Sequence, residues 1–186
     1  MTAHHQVHGH ASLTCGHFDR YPMSVSHEGG CLCGKVRYKA AAEPLRVTIC
    51  HCTFCQRVTG SAFLVEPIFR IEDVVFSGTA PRTYDHRSDG SHKRVTLHFC
   101  DNCGTTLHLS FERFPGFIGV CAGTFDDPNW FARGPATCRH IFTGSAQQGV
   151  VLPAGMEIYL EHALRLDGTP NKSSVLEQAQ MVTRKG

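Results

Sequence analysis

The sequence predicts a mainly β domain in which short strands are arranged around cysteine sites that hold metal ions. Two observations carry this prediction. Short segments of alternating polar and apolar residues are separated by Gly, Pro, Asp and Ser, which is typical of half-buried strands joined by turns. The cysteines cluster as Cys-x-Cys, Cys-x-Cys-x-x-Cys and Cys-x-x-Cys, which are spacings that favour metal ligands. We therefore expect few helices, all of them short.

Composition limits the class of protein. The chain has 186 residues, enough for one domain with a real core, so its ten cysteines are not needed as disulfide staples. No stretch resembles a signal peptide or a membrane span, which predicts a soluble protein of a reducing compartment, the cytoplasm. Lys plus Arg number 18 against 16 for Asp plus Glu, without a basic block, and this weighs against a nucleic-acid partner.

The chain divides into three predicted regions. Residues 1–26 contain many histidines and few aliphatic residues, which predicts a flexible extension, with an accessory metal-binding arm as the alternative. Residues 27–165 are predicted to form one metal-binding domain, and residues 166–186 a tail. In that tail, Ser174 to Glu177 has the spacing of a capping box, so a short C-terminal helix is expected.

The strands follow one another through the domain. The glycine-bracketed Cys31-Leu32-Cys33 turn leads into a first strand, and a second strand delivers Cys50. Gln56 then begins a polar loop that runs into an apolar strand, and a helical turn is expected at Asp127-Pro128. Further strands are predicted at Val74–Phe76, Arg82–Tyr84, Val95–Phe99, Thr105–Leu109, Phe117–Val120 and Thr137–Phe142.

Four cysteines make a complete ligand set for a structural metal. They are Cys31, Cys33, Cys100 and Cys103, and the second pair forms the tip of a predicted hairpin, as in a zinc knuckle. A site made from both pairs would tie the first strand to a late hairpin, and its binding free energy would add to the stability of the fold. The alternatives are two disulfides, or spare thiols at the first pair.

Three further cysteines, Cys50, Cys52 and Cys55, are one ligand short of a closed site. Catalytic zinc sites keep three protein ligands and leave the fourth position to water or substrate, so this motif indicates an open site. The alternatives are a disulfide between two of these thiols, or a closed site completed by a remote residue. Candidates for that remote ligand are Cys121, Cys138, His98, His108 and His140.

Four motifs together resemble one known family over about residues 29–142. They are Gly29-Gly30-Cys31-Leu32-Cys33-Gly34, Cys50-His51-Cys52-Thr53-Phe54-Cys55-Gln56-Arg57 with Gly60-Ser61-Ala62-Phe63, Phe99-Cys100-Asp101-Asn102-Cys103-Gly104, and Ala122-Gly123-Thr124-Phe125-Asp126-Asp127-Pro128. They resemble the glutathione-dependent formaldehyde-activating enzyme family, which also contains centromere protein V. This chain departs from the family after Phe142, where Ser145 to Val150 replaces a tryptophan-containing stretch.

The resemblance implies a fold, two metal sites and an activity. The fold would be a β-tent of short antiparallel strands like that of the Mss4 superfamily. The four-cysteine set would hold a structural zinc, and the three-cysteine set a catalytic zinc. The implied activity is a carbon–sulfur lyase reaction that adds glutathione or a similar thiol to formaldehyde or another small aldehyde. Arg57 and Ser61 are expected to contact that substrate.

A different class of function stays open at this stage. The alternative is a non-catalytic zinc module that binds a protein or chromatin partner. A positively charged surface stripe would favour that alternative, whereas a cleft open to solvent at Cys50–Cys55 would favour the enzyme. The sequence leaves the oligomeric state undetermined.

Overall fold

The computed structural model describes residues 26–183, which form fourteen short strands and one α-helix. The strands are β1 (His27–Gly30), β2 (Val36–Ala40), β3 (Arg46–Cys50), β4 (Leu64–Arg70), β5 (Val74–Gly78), β6 (Arg82–Arg87), β7 (Arg94–Phe99), β8 (Thr106–Phe111), β9 (Phe117–Val120), β10 (Cys138–Ile141), β11 (Val151–Leu152), β12 (Glu157–Ile158), β13 (Ser174–Val175) and β14 (Gln180–Met181). The helix is α1 (Thr53–Thr59), and 3-10 turns lie at Ile71–Asp73, Ala122–Thr124 and Thr143–Ser145. The predicted mainly β class is confirmed. Apart from Ser26, the predicted histidine-rich extension lies outside the described residues.

Nine strands form one large sheet in the order β13-β12-β10-β3-β4-β9-β8-β7-β6. Most neighbours are antiparallel, but β10 runs parallel to both β3 and β12. Because β10 lies beside β3, Ile141 is in register with Cys50, the first residue of the three-cysteine motif. A late segment of the chain is thereby brought against that motif.

The two faces of the large sheet pack against different layers. One face, with Val47 and Phe69, packs against the three-stranded sheet β1-β2-β5, whose Val36 and Tyr38 are fully buried. Since side chains alternate along a strand, Cys50 on β3 points to the opposite face. There it packs in a second apolar cluster with residues of α1 and of the later chain. That cluster comprises Cys50, Cys55, Leu64, Leu109, Cys121, Ile141, Tyr159 and Ala163.

Helix α1 replaces the polar loop expected after Cys55. Its N-cap is Cys52, whose sulfur accepts a hydrogen bond from the amide of Cys55, and its C-cap Gly60 adopts the left-handed conformation. The helix has only seven residues, too few for a 3.6-residue apolar repeat to show in the sequence. Its single buried residue is Cys55, so the helix directs that thiol inwards.

The prediction of a C-terminal helix was wrong. Ser174 and Val175 instead pair with β12, and Gln180 and Met181 pair with β11. Val175, which begins the apolar face expected for that helix, is 57% exposed, so it gives the helix no packing contact of the kind that stabilises a short helix. At the expected helical turn after Asp127, residues 128–129 form a turn, and the Asp127 carboxylate accepts from the Asn129 amide as an N-cap does, but no helix follows. Within residues 26–183, no helix is both long and apolar enough to cross a membrane.

Candidate metal centres

The four-cysteine set meets at one point, although its two halves are far apart in the chain. The turn between β1 and β2 supplies Cys31 and Cys33, and the tip of the β7–β8 hairpin supplies Cys100 and Cys103. All four sulfurs lie within 4.8 Å of one another, with Cys33 3.5 Å from Cys31 and 3.7 Å from Cys100. A tetrahedral ion with Zn–S bonds of about 2.3 Å requires S–S edges of about 3.8 Å. The donor set therefore fits zinc.

Hydrogen bonds around this four-cysteine cluster suit thiolate ligands. The backbone amide of Val36 donates to the sulfur of Cys31 at 3.3 Å. The hydroxyl and backbone amide of Thr105 lower the pKa of the Cys103 thiol to about 5. The Thr105 hydroxyl also accepts from the Leu32 amide, which joins the two halves of the cluster a second time. A thiolate is the form of cysteine that binds metal.

The three-cysteine set also converges, through a strand end followed by a helix start. Cys50 ends β3, Cys52 caps α1, and Cys55 lies in the first turn of that helix. Their sulfurs lie within 4.8 Å of one another. Hydrogen bonds from the thiols of Cys50 and Cys55 lower the pKa of Cys52 to about 3, and hydrogen bonds among the three sulfurs raise the pKa of the other two thiols. The three sulfurs thus form a compact donor set in which Cys52 is the thiolate.

The remote ligands considered from the sequence do not join this cluster. Among residues 26–183, the cysteine, histidine and carboxylate groups near Cys50 include no fourth member within ligand distance. Cys121 lies in the same apolar layer, but burial raises the pKa of its thiol to about 12 and keeps it protonated. No disulfide joins any of the nine described cysteines, from Cys31 to Cys138. The described part of the chain therefore offers three ligands at one site and four at the other.

His51 lies between two cysteines of the three-cysteine set, but its ring points into the protein. It is fully buried, and its Nε2 lies 3.0 Å from Nδ1 of His140, which is also buried. Burial lowers the pKa of His51 to about 4, so this imidazole is neutral at physiological pH. The arrangement fits a residue that anchors the loop and not a general base facing solvent.

The two residues predicted to contact substrate, Arg57 and Ser61, line one surface hollow of about 540 Å³ beside α1. Thr53, next to Cys52, lines the same hollow. Arg57 is exposed in the last turn of the helix. The hydroxyl of Ser61 donates to the carbonyl of Phe63 at 2.6 Å, and its oxygen lies 3.4 Å from the Phe63 amide and 3.0 Å from the Thr59 hydroxyl.

Two further residues of this region were missed from the sequence. Gln56 follows the last cysteine and bonds back to the loop, and Glu66 on β4 lies on the same sheet face as Cys50. The Glu66 side chain is buried, and its Oε1 has no hydrogen-bond partner in the described structure. Burial raises the pKa of this carboxyl to about 8. Glu66 could have been noticed in the sequence because it is an acidic residue within an otherwise apolar strand, at a position whose side chain faces inwards.

The fold and these two centres define a class of protein, namely a β-rich domain with one four-cysteine and one three-cysteine cluster. Residues 26–145 match the family described as glutathione-dependent formaldehyde-activating enzyme, and the chain belongs to this family. The match covers both cysteine clusters, and it confirms the resemblance noted in the sequence.

Individual relatives are more distant. An uncharacterized lyase of Schizosaccharomyces pombe is 30% identical over 100 residues, which cover 50% of this chain and 66% of that protein. A Halomonas elongata protein, named as a candidate glutathione-dependent formaldehyde-activating enzyme, is 26% identical over 53% of this chain and 65% of its own length. The matched segments thus span just under two thirds of these relatives. A crystal structure of a Rhodobacter sphaeroides protein aligns with a TM-score of 0.42 at 23% identity, covering 53% of this chain and 87% of that one.

Proposed function

We propose that this protein is a zinc-dependent carbon–sulfur lyase that adds glutathione, or a similar small thiol, to formaldehyde or another small aldehyde. Family membership supports the reaction class, and the name of the Schizosaccharomyces pombe relative also contains the word lyase. The observation that carries the proposal is the three-ligand cluster of Cys50, Cys52 and Cys55. The cluster continues into helix α1, whose Thr53, Gln56 and Arg57 line a polar surface hollow. A closed four-ligand site would leave no position for a substrate.

The two clusters have separate roles in this proposal. Cys31, Cys33, Cys100 and Cys103 hold a structural zinc that fastens the β1–β2 turn to the β7–β8 hairpin. Cys50, Cys52 and Cys55 hold the catalytic zinc. When bound, that ion supplies an open coordination position and lowers the pKa of an entering thiol, so that the sulfur is a nucleophile at neutral pH.

The chain's own residues bind and orient the thiol. Arg57, exposed on the rim of the hollow, pairs with a carboxylate of glutathione, and Ser61 accepts a hydrogen bond from an amide or ammonium group. The reaction joins the thiol sulfur to the aldehyde carbon and transfers the thiol proton to the aldehyde oxygen. The product is S-hydroxymethylglutathione when formaldehyde is the aldehyde.

Exchange kinetics test the proposal, because this addition is reversible and has a spontaneous rate to compare with. The exchange of glutathione with S-hydroxymethylglutathione is measured by two-dimensional exchange NMR, with and without the zinc-loaded protein. We expect acceleration by the wild type, loss of acceleration in Cys52→Ser, and retention in Cys138→Ala, which changes a buried cysteine outside both clusters. Zinc-loaded wild-type protein with no effect on exchange of glutathione or of other thiols would refute the lyase proposal.

Arg57→Gln separates carboxylate recognition from chemistry. Since Arg57 is exposed, its ion pair contributes about 1 kcal/mol at most, so KM for glutathione should rise about two- to fivefold with kcat nearly unchanged. An uncharged thiol such as 2-mercaptoethanol should show no change. An equal change for both thiols would mean that Arg57 does not contact the carboxylate.

A further inference from the structure

The three-cysteine loop is tied by side-chain hydrogen bonds to a segment about ninety residues later in the chain. The side-chain amide of Gln56 donates to the carbonyl of His51 at 2.6 Å and to the carbonyl of Ser145 at 2.9 Å. The hydroxyl of Ser145 lies 3.1 Å from the same His51 carbonyl and 3.0 Å from the carbonyl of Phe142, so its one proton is shared between these two acceptors. Gln147 completes the set, because its amide donates to the side-chain oxygen of Gln56 at 2.9 Å. We call Gln56, Ser145 and Gln147 the brace.

The position of these bonds determines what they hold. The His51 carbonyl belongs to the peptide that links His51 to Cys52. The Gln56 amide holds the orientation of that planar group, and the shared proton of the Ser145 hydroxyl supports it. Gln56 follows Cys55 directly, so its bond to His51 closes a ring around the second and third cysteines. On the other side, the His51 amide donates to the Ile141 carbonyl at 3.0 Å. The loop is therefore held at its amide, its carbonyl and its imidazole.

Within the brace, nearly every hydrogen-bond donor and acceptor of the Gln56 side chain has a partner. Both protons of its amide and its oxygen have partners, two of which are backbone carbonyls. A carboxylate of the same size could accept from Gln147 but would face two carbonyl oxygens with no proton to offer. The arrangement requires an amide at position 56, and it requires the 145–147 segment.

We propose that Gln56 and Ser145 are positioning residues that hold Cys50, Cys52 and Cys55 in ligand geometry before a metal ion binds. This inference rests on the proposed function, since it concerns the metal site of that activity. Partners of this kind typically change metal affinity by 10- to 100-fold when they are lost. Because no hydrogen bond of the brace reaches the four-cysteine cluster in the described structure, that cluster provides an internal control in the same molecule.

The test measures zinc retained per full-length chain against increasing concentrations of a chelator, together with the thiolate-to-cobalt charge-transfer band after exchange with Co²⁺. The variants are Gln56→Glu and Ser145→Ala, and Ser145→Thr, which keeps the hydroxyl, tests for rescue. Gln148→Glu is the matched control, because it makes the same chemical change in a side chain that has no hydrogen bond to residues 50–56 in the described structure. Cys52→Ser defines the behaviour of the four-cysteine site alone.

The expected result is two zinc ions in the wild type, with one of them released at roughly 10- to 100-fold lower chelator concentration in Gln56→Glu and Ser145→Ala. The charge-transfer band of cobalt bound at the three-cysteine site should change in Gln56→Glu and Ser145→Ala, while Ser145→Thr and Gln148→Glu behave as wild type. Two ions of unchanged affinity in the brace variants would overturn the brace but not the lyase. A single ion in the wild type, unaffected by Cys52→Ser, would overturn the proposed catalytic site and the brace with it. Equal loss of zinc from both clusters in the brace variants would overturn the proposal that the brace acts on the three-cysteine site alone.

Discussion

Replacing Glu66 with glutamine should stabilise the protein, and the gain should grow with pH. The carboxyl is buried, its Oε1 has no partner in the described structure, and burial raises its pKa from 4.5 to about 8. A raised pKa means that the folded state holds the proton more tightly than the unfolded state. Below pH 4.5 both states are protonated and the group has no effect. As pH rises towards 8, only the unfolded state ionises, so stability falls.

The size of this effect follows from the two pKa values. Each pH unit between them costs about 1.4 kcal/mol, so the penalty is about 3 kcal/mol at pH 7 and reaches about 5 kcal/mol above pH 8. Glutamine has the same shape and no charge, so Glu66→Gln should retain the cost of a buried polar group but lose the dependence on pH. The neighbouring Cys121 thiol has a pKa of about 12 and stays protonated throughout this range.

Urea unfolding of the wild type and Glu66→Gln at pH 5, 7 and 9 measures the difference directly. The cysteines of the two clusters also titrate in both proteins, so their contribution cancels in the difference, except for Cys52, whose charge helps to raise the Glu66 pKa. We expect a difference below about 1 kcal/mol at pH 5 and about 3 kcal/mol at pH 7. A difference that is constant across the three pH values would show that the Glu66 pKa is the same in the folded and the unfolded protein. That result would refute the reasoning from burial.

Two further substitutions test the packing and the structural cluster. Gly119→Ala would place a Cβ in steric overlap with Oε1 and Cγ of Glu66. It should lower the free energy of unfolding by about 1–3 kcal/mol in the wild type and by much less in Glu66→Ala. A double-mutant cycle that shows no coupling would contradict this contact. Cys100→Ser should lower the free energy of unfolding by several kcal/mol, because it opens the cluster that joins two distant parts of the chain, whereas Cys52→Ser should cost less. Thermal unfolding with zinc bound compares the two variants, and equal losses would show that the clusters are not specialised.

The sequence predicted those parts of the fold whose cause is local. The strand that follows Lys35 was visible because polar and apolar residues alternate, and it is β2 in the structure. The four-cysteine cluster could be predicted because each half has a ligand spacing of its own, even though 66 residues separate Cys33 from Cys100. Short spacing restricts where two thiols can point, and this restriction survives whatever fold surrounds them.

The remainder depended on which strands become neighbours. Ser145 bonds to His51 only because β10 lies parallel to β3, and no pattern within either segment indicates that pairing. The C-terminal helix was wrongly predicted because Ser174 to Glu177 has helix-capping residues, while the exposure of Val175 leaves the helical face without a partner. The burial of Glu66 likewise depends on Gly119 in β9, whose missing side chain makes room for the carboxyl.

The distance along the chain between the three-cysteine loop and its brace also fixes an order of events during synthesis. His51 and Ser145 are 94 positions apart, so a ribosome adding about 5–20 residues per second completes the brace roughly 5–20 seconds after the loop has been made. The four-cysteine cluster can close earlier, once Cys103 has been translated. A nascent chain would therefore bind metal at the four-cysteine cluster first, while Cys50, Cys52 and Cys55 still lack the hydrogen bonds of the brace. Chain fragments that end before residue 145 should hold the first ion firmly and the second one poorly.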